Sequence, residues 1–236
     1  MRRILATFLS IPLLAFGLGT SLVLTTSPAG AVAGASSSVF INEIHYDNDG
    51  SDVGEFFEIA GPADTDLTGW TVALYNGSNG TVYNTIALTD TIDDEGTGSG
   101  AIAVTLPSNG LQNGSPDGLA LVDAGGVVVQ FLSYEGALTA ADGPAAGLTS
   151  TDIGVAEAGS TPIGQSLQLT GTGAAAGDFS WTGPAAESPG TLNTDQTVTG
   201  GGGGGGGGGT GCGTPFINEI HYDNDGSDVG EFFEIA

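Results

Sequence analysis

Beyond its third residue the sequence contains no lysine and no arginine. Arg2 and Arg3 are the only two basic residues of these types, set against 27 aspartates and glutamates, and the first acidic residue is Glu43. Affinity for nucleic acid rests mainly on Lys and Arg neutralising phosphates. No direct nucleic-acid binding is therefore expected, and anionic lipid should repel the chain as well. Divalent cations, neutral or cationic polymers and other proteins remain open as partners. So does plain solubility in a salty exterior, where an acidic surface stays hydrated. Cysteine is nearly missing too. Cys212 is the only one, which excludes an internal disulfide framework, and no CxxC pair, zinc spacing or haem motif exists. It sits among glycines, where an incidental role or an intermolecular link is expected rather than catalysis. A third absence is helical periodicity: no stretch repeats its apolar residues at about 3.6 positions.

The N-terminus carries a pattern of its own. A short basic start, Met1-Arg2-Arg3, precedes a mostly apolar stretch from Ile4 to Leu24, and small residues follow with Ala31-Val32-Ala33 among them. This predicts a secretory signal peptide over residues 1–33, hence a secreted, extracellular product with no membrane span after cleavage. The alternative is an uncleaved anchor, since about 20 apolar residues can cross a bilayer. Pro12 and the A-x-A sites favour cleavage, and Arg2-Arg3 also admits the twin-arginine route.

The chain also repeats itself. Residues 40–60 read FINEIHYDNDGSDVGEFFEIA, and residues 216–236 read the same letters without a substitution. Such a repeat marks tandem copies of one module. The second copy holds only the opening segment, which predicts that this chain is a fragment, the front of a longer protein. Between the copies Gly200 to Gly209 form an unbroken glycine run, read as a flexible linker over 198–215. The expected organisation is a signal peptide over 1–33, a folded domain over 38–197, the linker, and the incomplete start of a second domain over 216–236.

Within 38–197 short apolar, β-branched runs alternate with turn signals. Strands are predicted over 39–46, 55–60, 71–75, 81–88, 102–106, 119–122, 127–134, 166–169 and 179–182. Asn76-Gly77-Ser78-Asn79-Gly80 and Asp123-Ala124-Gly125-Gly126 read as hairpin turns, because Asn-Gly tolerates positive φ. The pattern predicts an all-β fold, a β-sandwich with Phe57, Trp70, Leu74, Phe131, Tyr134 and Trp181 in its core. The Ala/Gly/Ser/Thr-rich stretch 137–164 reads as an elaborated loop.

Four motifs then carry a resemblance. They are Phe40-Ile41-Asn42-Glu43-Ile44, Glu55-Phe56-Phe57-Glu58-Ile59, Asp66-Leu67-Thr68-Gly69-Trp70-Thr71 and Ser188-Pro189-Gly190-Thr191-Leu192-Asn193. In order and spacing, with Asp117 to Asp123 between the third and fourth, the stretch 40–193 resembles the bacterial lamin-tail domain. The resemblance implies an immunoglobulin-like β-sandwich. It also implies an accessory module of exported proteins, often joined to hydrolases of the endonuclease/exonuclease/phosphatase superfamily. No catalytic residue of such an enzyme stands in this sequence, and no heptads suggest a filament.

Among chemical candidates the loop Asp47-Asn48-Asp49-Gly50-Ser51-Asp52-Val53-Gly54-Glu55 comes first. Calcium takes six to eight oxygens from a flexible loop, and Asp47, Asp49, Asp52 and Glu55 supply carboxylates. The same letters recur at Asp223, Asp225, Asp228 and Glu231. An EF-hand is excluded because Asp52 stands where that loop needs glycine. An Asp/Asn/Gly turn held by its own side chains is the other reading. Glu43 and Glu58 fall on neighbouring strands, and paired carboxylates can run glycoside hydrolysis. His45 shares a face with Glu43 by strand alternation. Against catalysis, Asn42 and Glu43 suit a role holding backbone groups at a sheet edge, and no G-x-S-x-G stands near a strand end. The chain as given is therefore expected to be no enzyme. Trp70, Tyr75, Tyr83 and Tyr134 are candidate sugar-stacking aromatics, with core packing as the competing role. Cell-surface polysaccharide or protein is the expected partner.

Overall fold

The structure, a computed structural model, describes residues 37–199, and the backbone of 217–221 and 232–235. The predicted signal peptide, the glycine run, Cys212 and the second acidic segment with Asp223, Asp225, Asp228 and Glu231 lie outside the described residues.

The chain is an all-β sandwich. The larger sheet holds β1 (Phe40–His45), β2 (Phe56–Pro62), β5 (Ser99–Thr105), β9 (Gln165–Gly173) and β10 (Ser180–Ala186) in the order β10-β9-β1-β2-β5, and β11 (Gln196–Val198) runs parallel to the end of β9. The second sheet, β4-β3-β6-β7-β8, is built from β3 (Thr71–Asn76), β4 (Thr81–Ala87), β6 (Asp117–Val122), β7 (Val128–Tyr134) and β8 (Thr151–Asp152). Both predicted hairpins are present, β3 with β4 and β6 with β7. β5 begins at Ser99 rather than at residue 102, and the short β8 and β11 had no sequence signal. A separate hairpin, β12 (Ile217–His221) with β13 (Phe232–Ile235), lies in the second copy.

Three apolar layers explain why strands with so few charges stay in register. The middle layer lies between the sheets and gathers Ile41, Ile44, Tyr46, Phe57, Ile59, Leu74, Leu119 and Leu167. Ile41 and Ile44 both reach it because Asn42 is an extra residue: Ile41 pairs with Ile59 while Glu43 pairs with Glu58. Such a bulge shifts the alternation by one position. A second layer, Tyr75, Phe131, Leu138 and Ala145, covers the outer face of the smaller sheet. It packs under part of the 137–164 stretch, so that stretch is a lid on the sheet rather than a solvated loop. A third layer, Phe40, Ala60, Leu169, Phe179 and Val198, covers the outer face of the larger sheet. The expected core residues Phe57, Leu74, Phe131 and Tyr134 are fully or nearly fully buried, while Trp70 and Trp181 are half-buried against the layers.

Candidate functional site

The 47–55 loop joins β1 to β2 at one end of the sandwich. Its packing comes from neighbouring loops. The Asp49 N–H donates to the Thr161 carbonyl at 2.8 Å, Asn113 Nδ2 donates to Asp52 Oδ2 at 3.1 Å, and the Ser108 hydroxyl donates to the Asp52 carbonyl. These bonds divide the four candidate carboxylates. Asp47 and Asp52 come together: burial first, then the Asp52 charge, pushes the Asp47 carboxyl above its ordinary value. Asp49 is exposed. Glu55 is buried and turned onto the 106–111 loop, where one oxygen accepts from the N–H groups of Gly110 and Leu111. Burial raises its pKa, partly opposed by those two N–H groups. Among the described residues no three His, Cys, Asp or Glu side chains gather into a metal-holding group.

Sequence alternation set His45 beside Glu43, and both do lie on the outward face of β1. The partner of His45, however, is Glu157, which is 112 residues away. Nδ1 stands 2.8 Å from Glu157 Oε1, and Oε2 of the same carboxylate accepts from the N–H groups of Tyr46 at 2.6 Å and Asp47 at 2.9 Å. With Nδ1 protonated, Nε2 accepts from Asn48 Nδ2 at 2.8 Å. Burial alone would lower the His45 pKa, but the hydrogen bond and charge of Glu157 outweigh it and raise the value above 6.5. A Glu–His pair is the basic half of a nucleophilic triad. Here the place of the nucleophile, beyond Nε2, is taken by the Asn48 amide and the Val53 carbonyl at 3.2 Å. Neither group can attack a substrate.

Glu43 and Glu58 fall on neighbouring strands, as expected, and pair directly. The sheet edge expected for Asn42 and Glu43 is not where they lie: β1 is flanked by β9 and β2, and β2 by β5, so Glu43 and Glu58 are in the middle of the larger sheet. Both side chains are wholly buried because the segment 187–196 closes over them as a strap. Glu43 accepts from the Ser166 hydroxyl, Gln168 Nε2 at 3.1 Å, the Ser188 N–H at 3.0 Å and the Ser188 hydroxyl at 3.1 Å. Glu58 accepts from Asn42 Nδ2 at 2.8 Å and the Gly190 N–H at 2.7 Å. Asn193 ties the strap down from its far side, donating to the carbonyls of Leu169 at 2.8 Å and Asn42 at 3.2 Å. Glu95 adds a third carboxylate, accepting from the Leu192 N–H at 2.9 Å. Burial pushes Glu58 up to about 8, helped by the Glu43 charge and opposed by the Asn42 bond. Burial raises Glu43 as well, against its four donors. Buried polar groups need partners, and with no lysine or arginine at hand the strap's own N–H and hydroxyl groups serve.

Sequence reasoning missed Glu157, Ser166, Gln168 and the strap. A signal for the strap did exist, because Ser188 to Asn193 stands out as a motif. Its carboxylate partners Glu43 and Glu58 are more than 130 residues away, and periodicity cannot connect segments at that distance.

Beside the acidic loop a polar cleft of about 330 Å³ opens, lined by Asn76, Asn109, Gln112, Asn113 and Asp117 among others. Each Asp117 oxygen accepts one backbone bond, from the N–H groups of Gly77 at 2.8 Å and Gly114 at 2.7 Å. Gln112 Oε1 is buried without a partner. The candidate stacking aromatics do not line this cleft: Tyr75 and Tyr134 are buried, and Trp70 and Tyr83 pack half-buried against the middle layer. No protein-family model, curated protein or solved structure matches the chain.

Proposed function

We propose that the chain is an exported, non-catalytic binding or tethering module on an immunoglobulin-like, lamin-tail sandwich, the N-terminal part of a larger secreted hydrolase of the nuclease or phosphatase kind. One observation carries the non-catalytic half of this reading. The ionisable groups that look most like chemistry, Glu43, Glu58, His45 and Glu157, are each engaged in bonds that hold a strap or a loop to the sheet. A general acid or base must reach a substrate proton, and these carboxylates face the protein's own donors. Further support comes from the residues of the resemblance: Asn42, Glu43, Glu58, Ser188, Gly190 and Asn193 form one buried network rather than separate patches.

For binding, the carboxamide-lined cleft offers neutral donors and acceptors without basic residues. That chemistry suits polysaccharide or a protein loop and rejects phosphate polymers. Pull-down of the full chain on cell walls and polysaccharides, beside a turnover assay on nucleotides and DNA, tests the reading. Retention without turnover is expected, and turnover by this chain overturns it. A second reading, a calcium-stabilised adhesion module, is favoured by the Asp47–Asp52 approach, where two carboxylates without a cationic neighbour would gain from an ion.

A further inference from the structure

Most strand edges of the two sheets are blunted. β10 carries Pro184 and a register shift between Thr182 and Ala185. β8 is only 2 residues long. On β4 the Val82 N–H donates to Asp142 Oδ1 at 2.8 Å and the Thr85 N–H to Asn84 Oδ1 at 2.9 Å. Proline, irregular register, shortness and covering loops all keep other chains from adding to an edge. β5 differs. It pairs with β2 over 7 consecutive residues without a shift, and it holds no proline and no charged residue. Among the described residues it has no second neighbour.

The ladder fixes which way the backbone groups of β5 point. The Ala63 N–H donates to the Gly98 carbonyl at 3.0 Å, and the Leu106 N–H to the Glu55 carbonyl at 2.8 Å. Bonding in an antiparallel pair alternates. Gly100, Ile102 and Val104 therefore turn their groups to β2, and Ser99, Ala101, Ala103 and Thr105 turn theirs outward. The Ser99 carbonyl accordingly accepts from the Glu95 N–H at 3.0 Å. Ala101 is buried, which leaves half-buried Ala103 and exposed Thr105 as the open part of the edge. Ile102 and Val104, opposite Ile59 and Phe57, face the middle layer. There they line a slot of about 250 Å³ with the buried Ile59, Leu67 and Leu88. Asp90 lines the same slot, fixed by its carbonyl, which accepts from the Leu67 N–H at 3.0 Å. Asp93 Oδ1 stands 2.8 Å from the point that a Gly100 Cβ would occupy. Both aspartates are exposed, and no lysine or arginine follows Arg3 to neutralise them.

We propose that the β5 edge docks an extended, basic segment of a partner protein. That segment pairs with Ala103 and Thr105, lays an apolar side chain in the slot beside Ile102 and Val104, and sets lysine or arginine against Asp90 and Asp93. Strand addition takes its affinity from main-chain bonds and its specificity from alternate side chains. Residues two apart in the incoming strand share a face, so a cation two positions from the apolar residue lies on the slot side with it. Charge selects the occupant. A second copy would bring another uncharged strand, together with its own Asp90 and Asp93 and no counter-charge, and like charges brought together oppose docking. A cationic strand neutralises both aspartates. This face is separate from the carboxamide-lined cleft and takes a different chemistry.

The test titrates the full chain into two blocked, dye-labelled peptides, TKTVTKT and TETVTET, and reads fluorescence anisotropy. TKTVTKT should bind saturably, and TETVTET about tenfold more weakly or not at all. Ala103→Pro deletes an outward N–H and leaves the ladder to β2 intact. It should keep its cooperative melting and bind TKTVTKT about tenfold more weakly. Thr105→Pro, which also deletes an outward N–H, replaces it if the Ala103→Pro chain does not melt cooperatively. Asp90→Asn should weaken binding about threefold. Absence of saturable binding, equal affinity for the two peptides, or a folded proline variant that binds as the parent does overturns the proposal. Unchanged affinity in Asp90→Asn overturns it as well. So does a chain that is a dimer by light scattering and becomes a monomer in the proline variant, because the edge is then the seat of a second copy.

Discussion

Glu43 and Glu58 are direct cross-strand partners in the middle of the larger sheet, both wholly buried, in a chain with no lysine or arginine beyond residue 3. Two facing carboxylates in such a place cannot both ionise cheaply. Their protons and the strap above them are therefore linked.

The first prediction is a stability slope. Glu58 has a folded value of about 8, above its ordinary 4.5. Between those values the folded state holds more protons than the unfolded one. The contribution is fully present below the lower value and is lost as pH rises through the upper one. Glu43 shifts in the same direction. Urea midpoints measured from about pH 5 to about pH 9 should fall, and Glu58→Gln should flatten the fall because it mimics the protonated acid. Glu58→Ala should cost about 2–3 kcal/mol at the acid end by leaving the Asn42 amide and the Gly190 N–H unpaired.

A second prediction concerns His45. Its pKa lies above 6.5 despite burial, because Glu157 outweighs the burial. The stability it contributes is therefore complete below that ordinary value and is lost as pH rises through the folded one. Titration of the ring by NMR should show the raised value, and Glu157→Gln should lower it. Glu157→Ala removes acceptors from His45 Nδ1 and from the N–H groups of Tyr46 and Asp47, and should cost about 2–4 kcal/mol. An unmoved titration in Glu157→Gln would show that the contact does not hold the proton.

Much of the fold was legible in the sequence, and the reasons are local. The two hairpins announced themselves because Asn76-Gly77 and Gly125-Gly126 punctuate runs of β-branched and apolar residues. The sandwich followed from strand spacing. The covered outer faces were not legible, because alternation in β1 marks Glu43 and His45 as outward but cannot say whether outward means solvent. Here it means a strap for Glu43 and Glu157 for His45, both more than 110 residues away. The bulge at Asn42 also escaped, since one extra residue in a strand leaves no mark on composition. Of the four loop carboxylates Asp49 is exposed, Asp52 acts by its charge on both Asp47 and Glu55, and Glu55, just before β2, has its side chain on the 106–111 loop.

Third, Gly77 is held by close approach. A Cβ built there would lie 1.8 Å from the Pro116 carbonyl oxygen, while its N–H bonds Asp117 Oδ1 at 2.8 Å. Gly77→Ala must therefore push the β3–β4 turn off the 114–117 segment. A loss of about 2 kcal/mol or more in chemical denaturation is expected, and an unchanged midpoint would mean that the two segments move apart freely.

Fourth, the calcium reading has a clean thermal test. On that reading millimolar calcium raises the melting temperature by several degrees through binding to the folded state, and Asp52→Asn removes the effect. A melting temperature that neither calcium nor chelator moves would remove the reading.

The measurement that bears most directly on a binding module without chemistry of its own is co-sedimentation of the 236-residue chain with purified cell walls and neutral polysaccharide, with released phosphate and reducing sugar assayed in the same tube. Retention without release is predicted, weakened by an Asn109→Ala, Gln112→Ala double substitution in the cleft. Product release by the chain, abolished by Glu43→Gln or His45→Ala in a variant that still folds, would contradict it.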